Sequence, residues 1–218
     1  MTEVVAEISG NHAGKIEYAL ELIELAAWAG ADAVKFQCYM PERIVERRKN
    51  NAQVKAILER DFDGEPYIDL CRRNWTPWDW FPTLIRQAEM VGIRWFSSVF
   101  DPADVAFMES LSCPRYKISA FEMFAGDIHD AIDRTGKPKI VSIRPIPGVT
   151  ILTASRYNGA METLGLSAHG PIVPAPSAPM VEYHLRLPFV DTPDKKFSLM
   201  PNQLKQMVEV IRANREGT

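Results

Sequence analysis

The sequence predicts an α/β fold: a (β/α)8 TIM-type barrel with one or more outer helices missing or shortened. Three observations carry that expectation. Short β-rich runs alternate with helix-period segments along the 218 residues, which is the pattern of βα units and a parallel sheet. Chains of roughly 200–250 residues form such barrels as one domain, so residues 1–218 are expected to be a single domain. The alternation also breaks once, after the fifth strand, where too few residues remain for a helix.

Val4 to Ile8 (VVAEI) reads as the first strand and leads into the loop Ser9 to Gly14. Ile16 to Trp28 sets apolar residues at helical spacing, and Gly30 stops that helix. Ala33 to Cys38 is the second strand. A polar connection from Tyr39 to Asn74 follows, and its length predicts partial helix or a functional excursion. Thr76 and Pro77 open the next helix, which runs to Gly92. Ile93 to Phe100 is the third strand, and Asp101-Pro102 starts a helix through Leu111. Arg115 to Phe121, a short helix from Asp127 to Arg134, and Lys139 to Ile143 complete the regular part.

Only Arg144 to Gly148 separate that fifth strand from the run Val149 to Ala154. A parallel crossover needs a dozen or more residues. Either the connecting helix is missing, or these strands leave the usual barrel path. Strands at Leu164–Ala168 and Val181–Leu187 flank the segment Pro171–Pro179, whose prolines interrupt any regular helix. A helix from Asn202 to Asn214 follows. The count is eight strands against five or six helices.

The hydrophobic fraction of 46% and charged fraction of 24% are those of a soluble globular protein. A net charge of −3 without a clustered basic face excludes a nucleic-acid partner. The basic run Arg43 to Lys49 reads as a solvated face. Three cysteines without ligand spacing fit reduced thiols. With no signal-like N-terminus and no apolar run near the roughly 20 residues of a membrane span, a cytoplasmic protein without membrane contact is expected.

In parallel barrels, chemistry sits at the C-terminal strand ends. Lys35 and Lys117 lie inside two strands, and a buried ammonium is costly unless paired. With nearby hydroxyls they make an anion site for phosphate or carboxylate; alternatively each pairs with Glu7 or Glu122 as a structural ion pair. His169 and His184 close neighbouring strands (LSAH, VEYH), where two imidazoles suit a transition metal or stand as satisfied polar residues. His12 is structural or part of the rim, and His129 reads as surface. No nucleophile elbow, P-loop or dinucleotide fingerprint is present.

The ordered segments AEISGNHAG, ADAVKFQ, SSVFD, RYKISAFE, GKPKIVS, GLSAH, VEYHL and DKKFSL resemble the sialic acid (N-acetylneuraminate) synthase family from residue 3 to about 212. The resemblance implies a (β/α)8 barrel that condenses phosphoenolpyruvate with an N-acylated aldose, such as N-acetylmannosamine or a related sugar, to a nonulosonic acid. It implies a divalent metal on His169 and His184, Mn2+ first, with Mg2+ or Co2+ as alternatives. It assigns Lys35, Ser98, Lys117, Ser142 and Ser167 to phosphoenolpyruvate. Glu7, Gln37, Glu122, Tyr157 and Asp194 then fall to the sugar, with Glu122, Glu7 and Lys117 as the catalytic set.

The resemblance also has departures. Ser-Ile-Arg-Pro replaces Ser-Thr-Gly-Met after the fifth strand, and Ala120 stands at a phosphate-binding serine, with Ser119 adjacent. Arg156 replaces an asparagine. The family's C-terminal antifreeze-like domain, which lends an arginine to a partner's site, is not expected in these residues, so Arg144 or Arg156 is expected to supply that charge or to hold the phosphate. Self-association would cover what missing helices expose. The other functions open to this sequence are a barrel remnant that binds a phosphorylated or carboxylated ligand without turnover, and another metal-dependent aldolase.

Overall fold

Inward and outward side chains alternate along each strand, and here the alternation separates two cores. The computed structural model describes residues 2–146, 149–155, 161–175 and 177–216. Eight strands close a barrel in chain order: β1 (Glu3–Glu7), β2 (Ala33–Cys38), β3 (Arg94–Val99), β4 (Tyr116–Ile118), β5 (Lys139–Ile146), β6 (Val149–Ser155), β7 (Met161–Ala168) and β8 (Met180–His184). Between β1 and β2 lies α1 (Ile16–Trp28). The connection from β2 to β3 is itself largely helical, with α2 (Pro41–Arg48), α3 (Ala52–Asp61), α4 (Tyr67–Asn74) and α5 (Phe81–Met90). Helices α6 (Pro102–Ser110) and α7 (Gly126–Asp133) flank β4, and α8 (Pro201–Glu216) follows β8.

A full (β/α)8 barrel is not what the chain builds. β6 runs antiparallel to both neighbours, paired with β5 from Ile140↔Ala154 to Ile146↔Val149 and with β7 from Val149↔Ala168 to Ser155↔Met161. Every other neighbouring pair is parallel, including the closing pair β1–β8. The five residues after Ile143 are too few for a crossover but sufficient for a hairpin. The absent helix is therefore a reversal of strand direction. Among the described residues no helix lies between β5 and β8, so the expectation of a helix-depleted wall holds. The fourth strand is shorter than expected, ending at Ile118, because Ser119 turns back to hydrogen-bond Glu122 and the backbone of Phe121.

Gly165 makes this reversal compatible with barrel closure. Its φ is +138°, and a Cβ there would lie 1.7 Å from the carbonyl oxygen of Met180 on β8. A register irregularity between Leu152 and Thr153 sits opposite. Only a residue without a side chain lets β7 approach β8 this closely.

The outer core joins strand residues such as Val4, Val34 and Phe36 to Leu22, Leu84, Ile132 and Val208 on the helices. The inner core is small: Val5, Ala33, Phe96, Ile140 and Met180 fill the barrel. Two residues further along the same strands stand Glu7, Lys35, Ser98, Ser142 and Glu182. With a period of two, these five polar groups form a layer directly above the apolar floor. No helix of the described residues is long and apolar enough to cross a membrane.

Candidate active site

The polar layer opens into a cavity of about 860 Å3 at the C-terminal strand ends. Glu7, Lys35, Gln37, Ser98, Lys117, Ser119, Ser142, Ser167, His169, His184 and Asp194 all line it, so eleven of the residues singled out in the sequence converge. Glu122 lies off this lining, beside a neighbouring cavity of about 330 Å3. Arg144 lies in β5, but its side chain is outside the described set; Arg156 and Tyr157 lie outside the described residues altogether.

At the floor, two ammonium groups meet two carboxylates. Lys35 Nζ bonds Glu7 Oε2, donates to Ser98 Oγ at 3.0 Å and lies 3.8 Å from Glu182 Oε2. Lys117 Nζ donates to both oxygens of Glu182, at 2.8 and 2.9 Å, and the Ser167 hydroxyl donates to Glu182 Oε1 at 2.8 Å. Burial pushes the Lys35 ammonium down to about 7 against the opposing pull of Glu182. Burial also opposes charge on Glu182, but Lys117 and then Lys35 outweigh it and hold the carboxyl below the usual range. Of the alternative ion pairs, Lys35–Glu7 forms. Lys117 takes Glu182 rather than Glu122, because Glu182 and Lys117 face each other across the barrel interior.

Glu122 instead receives a fork from α2. Arg48 Nε donates to Glu122 Oε1 at 2.6 Å and its terminal NH2 to Oε2 at 2.7 Å; its other arm reaches the Tyr67 hydroxyl at 2.7 Å. The run Arg43 to Lys49 is thus not a solvated face throughout. Arg48 is half-buried, lies against Phe100 and Phe121, and lines both cavities.

The two histidines meet at the rim, with ring centroids 5.4 Å apart and Phe197 stacked on His169 at 4.5 Å. His184 Nδ1 donates to Asp194 Oδ2 at 2.9 Å, which leaves Nε2 toward a ligand. His169, exposed at the mouth, is still held down to about 4, first by the desolvating walls around its ring and then by His184. An imidazole oriented through its other nitrogen by a carboxylate is the arrangement that metal sites use. The donor set therefore fits a borderline divalent cation with open positions, although no group of three or more such ligands occurs among the described residues. His12 is structural: Gly14 N donates to its Nδ1 at 3.1 Å, and Nε2 lies 3.0 Å from the Thr76 hydroxyl. His129 is half-buried, bonded to the Met123 carbonyl.

Residues 22–146 match the model of the NeuB family. The chain is 30% identical to the pseudaminic acid synthase of Campylobacter jejuni, over 96% of this chain and 72% of that protein. The chain belongs to the NeuB family. The pseudaminic acid synthase of Helicobacter pylori is likewise 30% identical, over 96% and 73%. Among solved structures, the N-acetylneuraminic acid synthetase of Leptospira borgpetersenii matches with a TM-score of 0.71 at 19% identity, covering 99% of this chain and 84% of that one. That likeness speaks for the fold.

In this NeuB-family chain, reading by sequence missed two site residues. Glu182 precedes His184 by two positions and so shares its inward face; the alternation of Met180, Glu182 and His184 carried that signal. Arg48 had none, since its partner Glu122 is 74 residues away.

Proposed function

We propose that the chain condenses phosphoenolpyruvate with an N-acylated aldose to a nonulosonic acid and releases phosphate. The observation that carries this reading is the polar layer, with Lys35, Lys117 and three serine hydroxyls at one end of a cavity whose other end holds the paired histidines. A trianionic substrate needs cations held in place by counter-charges, and the Glu7 and Glu182 carboxylates hold both lysines in position before binding.

In the proposed reaction C3 of phosphoenolpyruvate bonds to the aldehyde carbon, water adds at C2, and phosphate leaves with cleavage of the C2–O bond. Lys35, Lys117, Ser98, Ser142 and Ser167 orient the phosphate and carboxylate, so the attacking carbon faces the aldehyde. Glu7, bonded to Lys35 on the cavity lining, is assigned the proton transfer. Glu122 acts through Arg48, whose guanidinium it fixes on the cavity wall. His169 and His184 would hold the divalent cation, Mn2+ first with Mg2+ or Co2+ as alternatives, and the cation supplies Lewis acidity to the aldehyde oxygen.

Phosphate release from phosphoenolpyruvate with N-acetylmannosamine and related N-acylated aldoses tests the reading. Release that requires the aldose and falls after chelation supports it. Binding of phosphoenolpyruvate without release across the panel favours a ligand-binding barrel, the reading suggested by the helix-depleted β5–β7 wall.

A further inference from the structure

Arg48 has a place on the cavity wall and, in the reaction above, no task. The lysine floor is balanced charge for charge, with Lys35 on Glu7 and Lys117 on Glu182, whereas phosphoenolpyruvate brings both a phosphoryl group and a carboxylate. Arg48 adds a further cation from α2, and its side chain keeps 10% of its surface exposed. Its anchor lies behind it. Glu122 lines only the smaller cavity, while Arg48 lines the larger one as well.

A guanidinium carries five N–H donors. Glu122 takes two of them, one at Nε and one at Nη2, and Ser119 Oγ takes the other at Nη2, at 3.2 Å. Tyr67 Oη takes one at Nη1, at 2.7 Å, and the second Nη1 hydrogen has no acceptor among the described residues. Tyr67 keeps its own hydrogen, for which the protein offers only the weak acceptor Cys71 Sγ, and it too lines the larger cavity. The rings of Phe100 and Phe121 lie 5.3 and 4.7 Å from the guanidinium carbon, which leaves an edge of the fork to meet a ligand. Nη1 and the Tyr67 hydroxyl together present donors beside a positive charge. An anionic group with several oxygens matches them, and a phosphoryl group can bond both at once.

We propose that Arg48 and Tyr67 form a phosphoryl-binding subsite on the cavity wall, held from behind by Glu122. This rests on the condensation reading above for its substrates. The phosphoryl group is that of phosphoenolpyruvate or one carried by the aldose, since the same donors meet either. Arg48 touches the ligand, and Glu122 is a positioning residue that fixes the direction of the fork.

The test uses the full chain with Arg48→Lys, Tyr67→Phe and Glu122→Gln. It measures Tm, binding of inorganic phosphate by calorimetry, and KM for phosphoenolpyruvate, N-acetylmannosamine and N-acetylmannosamine 6-phosphate. Arg48→Lys keeps the charge but not the fork and is expected to weaken phosphate binding about 10-fold; Tyr67→Phe and Glu122→Gln should each weaken it about 3-fold. A matching rise in KM for phosphoenolpyruvate and for neither aldose assigns the subsite to that substrate. A rise for the 6-phosphate alone, with the unphosphorylated aldose the poorer substrate, assigns it to the aldose. Phosphate binding that is equal in the variants and the unmodified chain, or absent from the unmodified chain, overturns the proposal. So does a KM rise confined to N-acetylmannosamine, which makes Arg48 a reader of hydroxyls, or a rise in every KM with a lower Tm, which makes it structural. Should Arg48→Lys fail to fold, Tyr67→Phe decides on the same measures. If the unmodified chain releases no phosphate from phosphoenolpyruvate with any aldose, the condensation reading fails separately, and the calorimetry still judges the subsite.

Discussion

Glu182 ties the floor of the site together, because Lys117, Lys35 and Ser167 all address its two oxygens. Removing one partner of a buried pair leaves an uncompensated charge, at a cost of about 3–5 kcal/mol. Glu182→Gln should therefore lower unfolding stability by about 3 kcal/mol in urea titrations. The double variant Lys117→Met, Glu182→Leu should recover most of that loss while remaining inactive. A second residue-scale outcome concerns pH. Burial lowers His12 from 6.5 to about 4, so the unfolded state takes up the proton first. The contribution of His12 is complete above pH 6.5 and is lost as pH falls toward 4, up to about 3 kcal/mol. His12→Gln should flatten stability against pH in that window. What was legible at this scale followed strand alternation: Lys35, Lys117, Ser98, Ser142, Ser167 and His184 all land on the cavity. Glu182 obeyed the same rule and was overlooked beside its histidine neighbour. Arg48 was hidden because side-chain partners 74 residues apart leave no local trace.

Among the elements, β7 is the most constrained. Gly165→Ala would press a methyl group into the β8 backbone at Met180 and should cost at least about 3 kcal/mol or abolish folding. Gly14→Ala makes the contrast: its φ is +70°, but nothing lies within 4 Å, so only the backbone term of about 1 kcal/mol remains. Thermal denaturation of the two variants compares them directly. The direction of β6 was not legible, since a run such as VTILTA has the same period whichever way it travels. Loop length was the available clue, because the five residues after Ile143 permit a hairpin and forbid a crossover. The helices of the β2–β3 connection were expected only in part; α2, α3 and α4 are eight, ten and eight residues long, so each offers only two or three turns of any pattern.

At the scale of the molecule, the barrel is covered unevenly. Helices α1, α5, α6, α7 and α8 are distributed from β1 to β5 and after β8, while among the described residues no helix lies in the chain between β5 and β8. Elements with few packed partners open first. Amide exchange followed by mass spectrometry should therefore show β6 exchanging faster than β1–β3, and equal protection would count against this division. The polar end draws Glu7, Lys35, Lys117 and Glu182 from β1, β2, β4 and β8, and takes Ser142 and Ser167 from β5 and β7. Membership of the NeuB family and the geometry of that end support the proposed reaction, in which the three carbons of phosphoenolpyruvate are joined to an N-acylated aldose in this cavity. Mass spectrometry of the product from carbon-labelled phosphoenolpyruvate, N-acylated aldose and Mn2+ tests it most directly. One nonulosonic acid carrying all the label and the intact aldose, formed by the unmodified chain and lost in His184→Ala and Lys117→Met, is the expected result. Recovery of unaltered aldose from every sugar tried, or the same product from those variants, would contradict it.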